Sequence, residues 1–265
     1  MKQVFSKWSL FILPLILYAC TKVINVNLND AAPQIVVEGI ITNTPGPYQV
    51  QITKTVNFDA SNSFPPVSGA IVKISDNGGI IQDVLTESSP GIYTTHTIQG
   101  IPGHTYQLNI TVGTQTYSAT STMPQPVTLD SISFQHTSRV NKIDINTVPN
   151  YLDPINIKNY YSFTQYVNSR RIKNTNVFDD RLSDGRYINV ALRTDSTYIN
   201  IGDTVLLKMN CIDKATYDYF YTFAQVAGNN NFQSASPSNP ISNISNNALG
   251  YFAAYTTQSK KAIAK

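Results

Sequence analysis

The sequence has few cysteines, few charges and no long apolar run. Cys20 and Cys211 are the only cysteines in 265 residues, and Asp, Glu, Lys and Arg together make up 13%. The scarcity of cysteine argues against a fold built on disulfides. No apolar stretch reaches the roughly 20 residues that a membrane-spanning helix needs. Without residues 1–19 the chain carries seventeen basic and sixteen acidic side chains, a net charge of +1 that argues against nucleic-acid binding.

Motifs of catalysis and metal binding are also missing. The sequence has no G-x-S-x-G elbow, P-loop or dinucleotide-binding fingerprint. Its histidines, His96, His104 and His136, lack the cysteine or carboxylate spacing of a zinc site, so we interpret them as turn or strand-end residues. Residues 180–185 begin like a calcium loop, but Leu182 and Ala191 stand where carboxylates are needed. The sequence therefore predicts no enzyme, cofactor or metal site.

The N-terminal segment has the organisation of a lipoprotein signal peptide. Lys2 and Lys7 precede residues 8–19, which are apolar except for Ser9. This run is too short to span a bilayer and ends in a small residue before Cys20. We predict cleavage before Cys20 and lipid on its thiol. The alternative is a plain secreted protein in which Cys20 is incidental. With Cys20 acylated, Cys211 is left as a lone, buried and inert thiol in a strand.

The abundant residue types are those of a β protein. Thr, Asn, Ser and Tyr are plentiful, which favours strands joined by polar turns. Residues 20–33 are predicted to form a tether. Residues 34–125 are predicted to form an immunoglobulin-like β-sandwich, because short strands alternate with turns throughout this range. The strands are predicted at residues 35–41, 48–54, 70–75, 80–85, 91–94, 105–112 and 114–122.

Residues 126–265 are predicted to form a second β-rich domain with one short helix. Pro124 and Pro126 mark the boundary, and the balance of charge changes there from acidic to basic. A helix of about fourteen residues follows Asp213, with a mostly buried aromatic stripe that includes Tyr217, Phe220 and Tyr221. The tail after Thr256 is predicted to fray. Strands are predicted at residues 129–135, 160–168, 186–193, 204–212 and 249–255.

One basic cluster is the candidate binding surface. Arg170, Arg171 and Lys173 follow a tyrosine-rich strand that begins with Tyr160 and Tyr161. Tyrosine and arginine often dominate protein interfaces, and a basic rim can recognise anionic groups or lipid headgroups. A solvated strand end is the simpler explanation of the same residues, and both interpretations stay open.

Several short motifs together resemble the Bacteroidota lipoproteins grouped as domain of unknown function 4249. The motifs lie at residues 33–39, 69–72, 103–108, 130–132, 202–205, 217–220 and 249–252. The resemblance implies an outer-membrane lipoprotein, without catalytic residues, that is accessory to a TonB-dependent receptor. Relatives often have an acidic tether, whereas this chain has Lys22, Asn25 and Asn27. Whether the protein faces the periplasm or the cell surface therefore stays open.

Two function classes remain. We favour a non-enzymatic binding or accessory component that works with a TonB-dependent receptor in nutrient uptake. The alternative is a structural or adhesive envelope lipoprotein with no transport role. A hydrolase is a distant third, because no nucleophile or acid–base pair stands out.

The lipid anchor makes the first prediction. Replacing Cys20 with Ala removes the thiol that receives the lipid, so Cys20→Ala is expected to lose all fatty-acid labelling and to keep its signal peptide. Metabolic labelling with palmitate followed by gel analysis measures this, and Cys211→Ala is the matched control that keeps the label. Palmitate in the Cys20→Ala protein would refute the lipoprotein interpretation.

Overall fold

The computed structural model describes residues 32–57, 63–76, 81–139, 142–192, 199–226 and 239–265. Regular structure in these segments is almost entirely β, with one helix, which confirms the predicted fold class. The strands are β1 (Ile35–Thr42), β2 (Gln49–Lys54), β3 (Ile71–Asp76), β4 (Ile81–Val84), β5 (Thr86–Ser89), β6 (Ile92–Thr94), β7 (Thr105–Val112), β8 (Gln115–Thr122), β9 (Ser131–Arg139), β10 (Lys142–Leu152), β11 (Tyr160–Val167), β12 (Arg170–Arg171), β13 (Asn176–Asp179), β14 (Tyr187–Ile188), β15 (Thr204–Ile212) and β16 (Leu249–Ile263), and the helix is α1 (Lys214–Val226).

The strands form three sheets. The long sheet has nine strands in the order β12-β11-β15-β16-β1-β2-β6-β5, with β13 also paired to β11. A second sheet of four strands has the order β4-β3-β7-β8, and a small sheet has the order β14-β10-β9. Neighbouring strands are antiparallel except for β1 and β16, which run parallel.

The N-terminal part is a sandwich of the four-stranded sheet and one end of the long sheet. Alternate residues of β1 and β7 are buried, as expected for strands with one face on a core. Val37 and Ile41 of β1 share this core with Ile74 of β3 and Leu108 of β7. The predicted hairpin of β1 and β2 is present, with Val37 opposite Ile52.

β16 connects this sandwich to the rest of the chain. Its first half pairs with β1, from Val36 opposite Leu249 to Thr42 opposite Tyr255. Its second half pairs with β15, from Cys211 opposite Thr256 to Thr204 opposite Ile263. The predicted fraying after Thr256 is therefore wrong, because the backbone of this lysine-bearing segment is hydrogen-bonded to β15 although its lysines are exposed.

The predicted domains 34–125 and 126–265 share the long sheet. Residues Pro33–Lys265 form one compact unit. Their apolar cores nevertheless differ. The sandwich core takes only Ile244, Ala248, Phe252 and Ala254 from the described C-terminal part. Two further cores lie among residues 127–264, one of them centred on Leu129, Phe163 and Leu207.

Strand prediction was less accurate beyond residue 126. β10 and β13 were not predicted, and the strand expected at residues 186–193 is reduced to β14. β10 contains Asp144 and Pro149, yet it pairs with β9 over nine residues. The helix was predicted correctly: Asp213 caps it, since its Oδ1 accepts a hydrogen bond from the Thr216 amide at 2.9 Å. Gly228, the expected end of the helix, lies outside the described residues.

The parallel pairing of β1 and β16 depends on Gly250. Gly250 has φ +94°, and a Cβ there would lie 1.9 Å from the Val37 carbonyl oxygen. Gly250→Ala is therefore expected to lower the free energy of unfolding by more than about 3 kcal/mol, because β1 would have to shift. Gly202 has φ +91°, but a Cβ there would meet no described atom within 4 Å, so Gly202→Ala is the control and is expected to cost about 1–2 kcal/mol. Urea unfolding followed by circular dichroism measures the free energy of unfolding of both variants. Equal losses of stability in the two variants would contradict this explanation.

Candidate functional site

The face of the long sheet that points away from the cores contains a pocket. We call it the tyrosine pocket, after Tyr166 of β11 and Tyr251 and Tyr255 of β16. Its volume is about 520 Å³, which suits a small solute. Arg171 and Lys208 also line it. The polar residues of the lining include Ser162, Thr164, Asn174, Asn176, Asn210 and Gln258.

Strand alternation separates the pocket from the core beneath it. Successive side chains of β11 are alternately buried and partly exposed along its whole length. Tyr161 and Val167 are buried in the cores, whereas Ser162, Thr164 and Tyr166 line the pocket, and the core residue Phe163 also borders it. The same sheet therefore supplies both a rigid support and a polar binding face.

Helix α1 forms one wall of the pocket. The ring centroid of Tyr251 lies 4.7 Å from that of Tyr219 and 4.9 Å from that of Phe220. Such aromatic contacts hold the helix on the sheet, and Phe220 reaches the pocket lining. The predicted burial of the aromatic stripe is confirmed for Tyr217 and is wrong for Tyr221, which is 45% exposed.

The tyrosine pocket is positively charged. Arg171 and Lys208 bring two cations, and no Asp or Glu of the described residues belongs to its lining. Within the described segments neither cation is in a salt bridge, although Lys208 Nζ lies 5.6 Å from the centroid of the Tyr166 ring. Cations without acidic partners attract anions.

Two tyrosine hydroxyls of the pocket, those of Tyr251 and Tyr255, stay protonated at neutral pH. Burial raises the pKa of Tyr255, and the positive charge of Arg171 offsets part of this rise. Burial also raises the pKa of Tyr251, and the charge of Glu38 raises it further. Both side chains can therefore donate hydrogen bonds to a ligand.

The residues of the predicted binding surface do not lie together in the structure. Arg171 lines the pocket, whereas Arg170 and Lys173 are exposed outside the lining. Tyr160 packs under the helix, 5.0 Å from the Tyr217 ring. Tyr161 is 1% exposed, so its assignment to an interface was wrong; consecutive residues of a strand point to opposite faces.

Lys208 is one of the pocket residues that sequence reasoning missed. It is an isolated lysine in the apolar run of β15 and has no basic neighbour in that strand. The signal available in the sequence was a single charged residue within a mostly apolar strand. The pairing of β11 with β15, which places Thr164 opposite Lys208, was needed to bring it beside Tyr166.

The histidines and the second cysteine lie away from the pocket. His96 contacts Thr86 Oγ1 at 2.8 Å, His104 contacts Asp76 Oδ2 at 2.9 Å, and His136 contacts the Lys265 carbonyl at 2.7 Å. Cys211 is buried as predicted, and burial raises the pKa of its thiol, which keeps it unreactive. Cys20 lies outside the described residues.

A second group of polar residues lies at the end of β10, where Asp153, Asp180 and Asp184 meet. We call it the carboxylate cluster. Burial raises the pKa of Asp153, the charges of Asp180 and Asp184 raise it further, and a hydrogen bond from Tyr161 opposes the rise. Sequence reasoning considered residues 180–185 as a linear calcium loop and missed Asp153, which comes from another part of the chain.

The fold and the pocket define an all-β protein with a solute-sized pocket on the outer face of its longest sheet. The chain belongs to the family described as domain of unknown function (DUF4249), whose model matches residues 21–261. No curated protein matches the sequence. Within the described segments, no helix has the length and apolar character needed to cross a bilayer.

The contact of Tyr251 with α1 can be tested by truncation. Tyr251→Ala removes a half-buried ring that packs on both Tyr219 and Phe220, so it is expected to lower the free energy of unfolding by about 2–4 kcal/mol. Tyr221→Ala is the matched control on the exposed side of α1 and is expected to cost under about 1 kcal/mol. Urea unfolding measures both, and a Tyr251→Ala loss no larger than the control would show that the helix is held elsewhere.

Proposed function

We propose that the protein is a non-enzymatic binding component of the outer membrane, anchored by lipid on Cys20. In this proposal the tyrosine pocket takes a small anionic solute, and the protein works beside a TonB-dependent receptor in uptake. The observation that carries the proposal is the pair of cations, Arg171 and Lys208, in a pocket whose described lining contains no acidic residue.

The chemistry of the pocket supports binding. A guanidinium group can hold a carboxylate or phosphate through two parallel hydrogen bonds, and a lysine adds a second positive charge. Tyr166, Tyr251 and Tyr255 offer flat apolar faces with hydroxyl donors at their edges. The lining, as far as the structure describes it, has no carboxylate, histidine or cysteine that could act as an acid, base or nucleophile, which favours binding over catalysis.

The position of the anchor supports the location. The family match begins at residue 21, directly after Cys20, and β1 begins at Ile35. The thirteen residues from 21 to 33 can extend at most about 45 Å, so a lipid on Cys20 would keep the pocket close to the bilayer. Two proteins held in one membrane meet at a high effective concentration, and even a weak contact is then well occupied.

Association with a receptor is the experiment that tests the proposal. The lipoprotein, crosslinked in intact cells and purified from mildly solubilised outer membrane, is expected to bring a TonB-dependent receptor with it. Changing Arg170 and Arg171 together to Glu reverses the charge at β12, and is expected to reduce receptor recovery by about tenfold or more, because arginine is a frequent interface hot spot. Quantitative mass spectrometry of the eluate measures the recovery.

The control reverses the same number of charges elsewhere. Lys54 and Lys260 are exposed and lie outside the pocket lining, so changing both to Glu is expected to leave receptor recovery unchanged. Equal losses in both double variants would indicate a general charge effect and would contradict the proposed surface. Recovery of the lipoprotein alone would favour the structural or adhesive alternative.

A further inference from the structure

The loops after β10 and β13 bring three carboxylates together. Asp153, Asp180 and Asp184 each offer an oxygen, and these oxygens all lie within 4.8 Å of one another. Asp153 is 1% exposed and Asp180 is 2% exposed, whereas Asp184 reaches the surface. Like charges this close repel each other strongly where water is excluded, so a bound proton or a bound cation stabilises the arrangement.

Asp153 is the central residue of the cluster because one of its oxygens lacks a partner. Its amide donates a hydrogen bond to the Arg186 carbonyl at 2.9 Å, and its Oδ1 accepts one from the Tyr161 hydroxyl. Its Oδ2 is buried and accepts no hydrogen bond of normal geometry from the described residues, and the nearby Gly185 amide offsets only part of the rise in the pKa of this carboxyl. A buried carboxylate oxygen without a partner is costly, and such a group usually marks an ion or water that binds there.

Backbone amides hold the other two carboxylates in place. The Asn159 amide donates to Asp180 Oδ2 at 2.6 Å, and the Asn156 amide donates to Asp184 Oδ1 at 2.8 Å. The Asp184 amide also donates to the Asp180 carbonyl at 3.0 Å. These bonds fix both loops before any ligand binds, which lowers the entropic cost of binding.

The charge of the cluster is only partly compensated. Lys158 Nζ contacts Asp180 Oδ1 from the solvent side, and its side chain is half exposed. Arg181 is occupied elsewhere, since its Nε pairs with Asp179 Oδ2 at 2.7 Å. Three carboxylates and one ammonium group leave a formal charge of −2, which one divalent cation would neutralise.

We propose that Asp153, Asp180 and Asp184 form a calcium site. Oxygens that coordinate one Ca²⁺ at about 2.4 Å lie at most about 4.8 Å apart, and the three carboxylate oxygens of the cluster fall within this limit. Calcium accepts six to eight oxygens in irregular geometry, so water and loop carbonyls can complete its shell, whereas Mg²⁺ demands a near-ideal octahedron. The site is distinct from the tyrosine pocket, whose lining includes none of these three residues.

Calcium binding to the full-length protein, purified in detergent and stripped with EDTA, tests the proposal. Calorimetric titration with CaCl₂ is expected to show one site per chain, and calcium at about 1 mM is expected to raise the melting temperature above that in EDTA, because a ligand that binds only the folded state stabilises it. MgCl₂ is expected to bind at least tenfold more weakly. Absence of binding by calcium at millimolar concentration would overturn the proposal, and equal affinity for magnesium would overturn the assignment to calcium.

Two variants and a control locate the site. Asp153→Asn and Asp184→Asn each remove one ligand charge and are expected to weaken calcium binding at least tenfold. Because Asp184 is exposed, its variant is expected to fold even if the change at buried Asp153 does not. Asp218→Asn removes the same charge from α1, where Asp218 pairs with Lys214, and is expected to bind calcium as the wild type does. Wild-type affinity in Asp184→Asn would place the ion elsewhere and overturn the proposal.

Discussion

The pairing of β16 with two different neighbours is the constraint on which the structure depends. Its first half completes the sandwich beside β1, and its second half lies beside β15. Tyr251 and Tyr255 belong to the half that pairs with β1, and Thr257 and Ser259 belong to the half that pairs with β15. All four line the tyrosine pocket, so the pocket exists only where the two parts of the sheet meet.

The same alternation of side chains gives the protein two separate polar sites. On the outer face of β11 and β15, Tyr166 and Lys208 line a pocket of positive charge. On the inner face, Tyr161 points into the core and donates a hydrogen bond to Asp153, where negative charge collects. Strand β11 therefore contributes one tyrosine to the proposed anion site and another tyrosine to the surroundings of the proposed calcium site. The two sites need not compete, because the sheet lies between them.

The sequence was sufficient to predict local features and insufficient for non-local ones. The hairpin of β1 and β2, the helix after Asp213 and the burial of Cys211 follow from patterns within about twenty residues. β16 escaped prediction beyond Tyr255, because its polar second half is a strand only through its pairing with β15. Lys208 and Asp153 were missed for a similar reason: each reaches its site through strand pairing or loop contacts with residues distant in sequence.

The parallel orientation of β1 and β16 also determines how the protein would carry a mechanical load. In the proposed anchored protein, a tether attached at Pro33 would pull β1 along its own axis toward its N-terminus. A partner bound to the pocket would pull β16 the other way, through residues 251–259. These opposed forces would act in shear on the hydrogen bonds from Val36 to Thr42. Under shear these bonds must break together, whereas under peeling they would break one at a time. In the proposed arrangement, a force between membrane and partner would therefore be resisted by the full length of the β1–β16 pair.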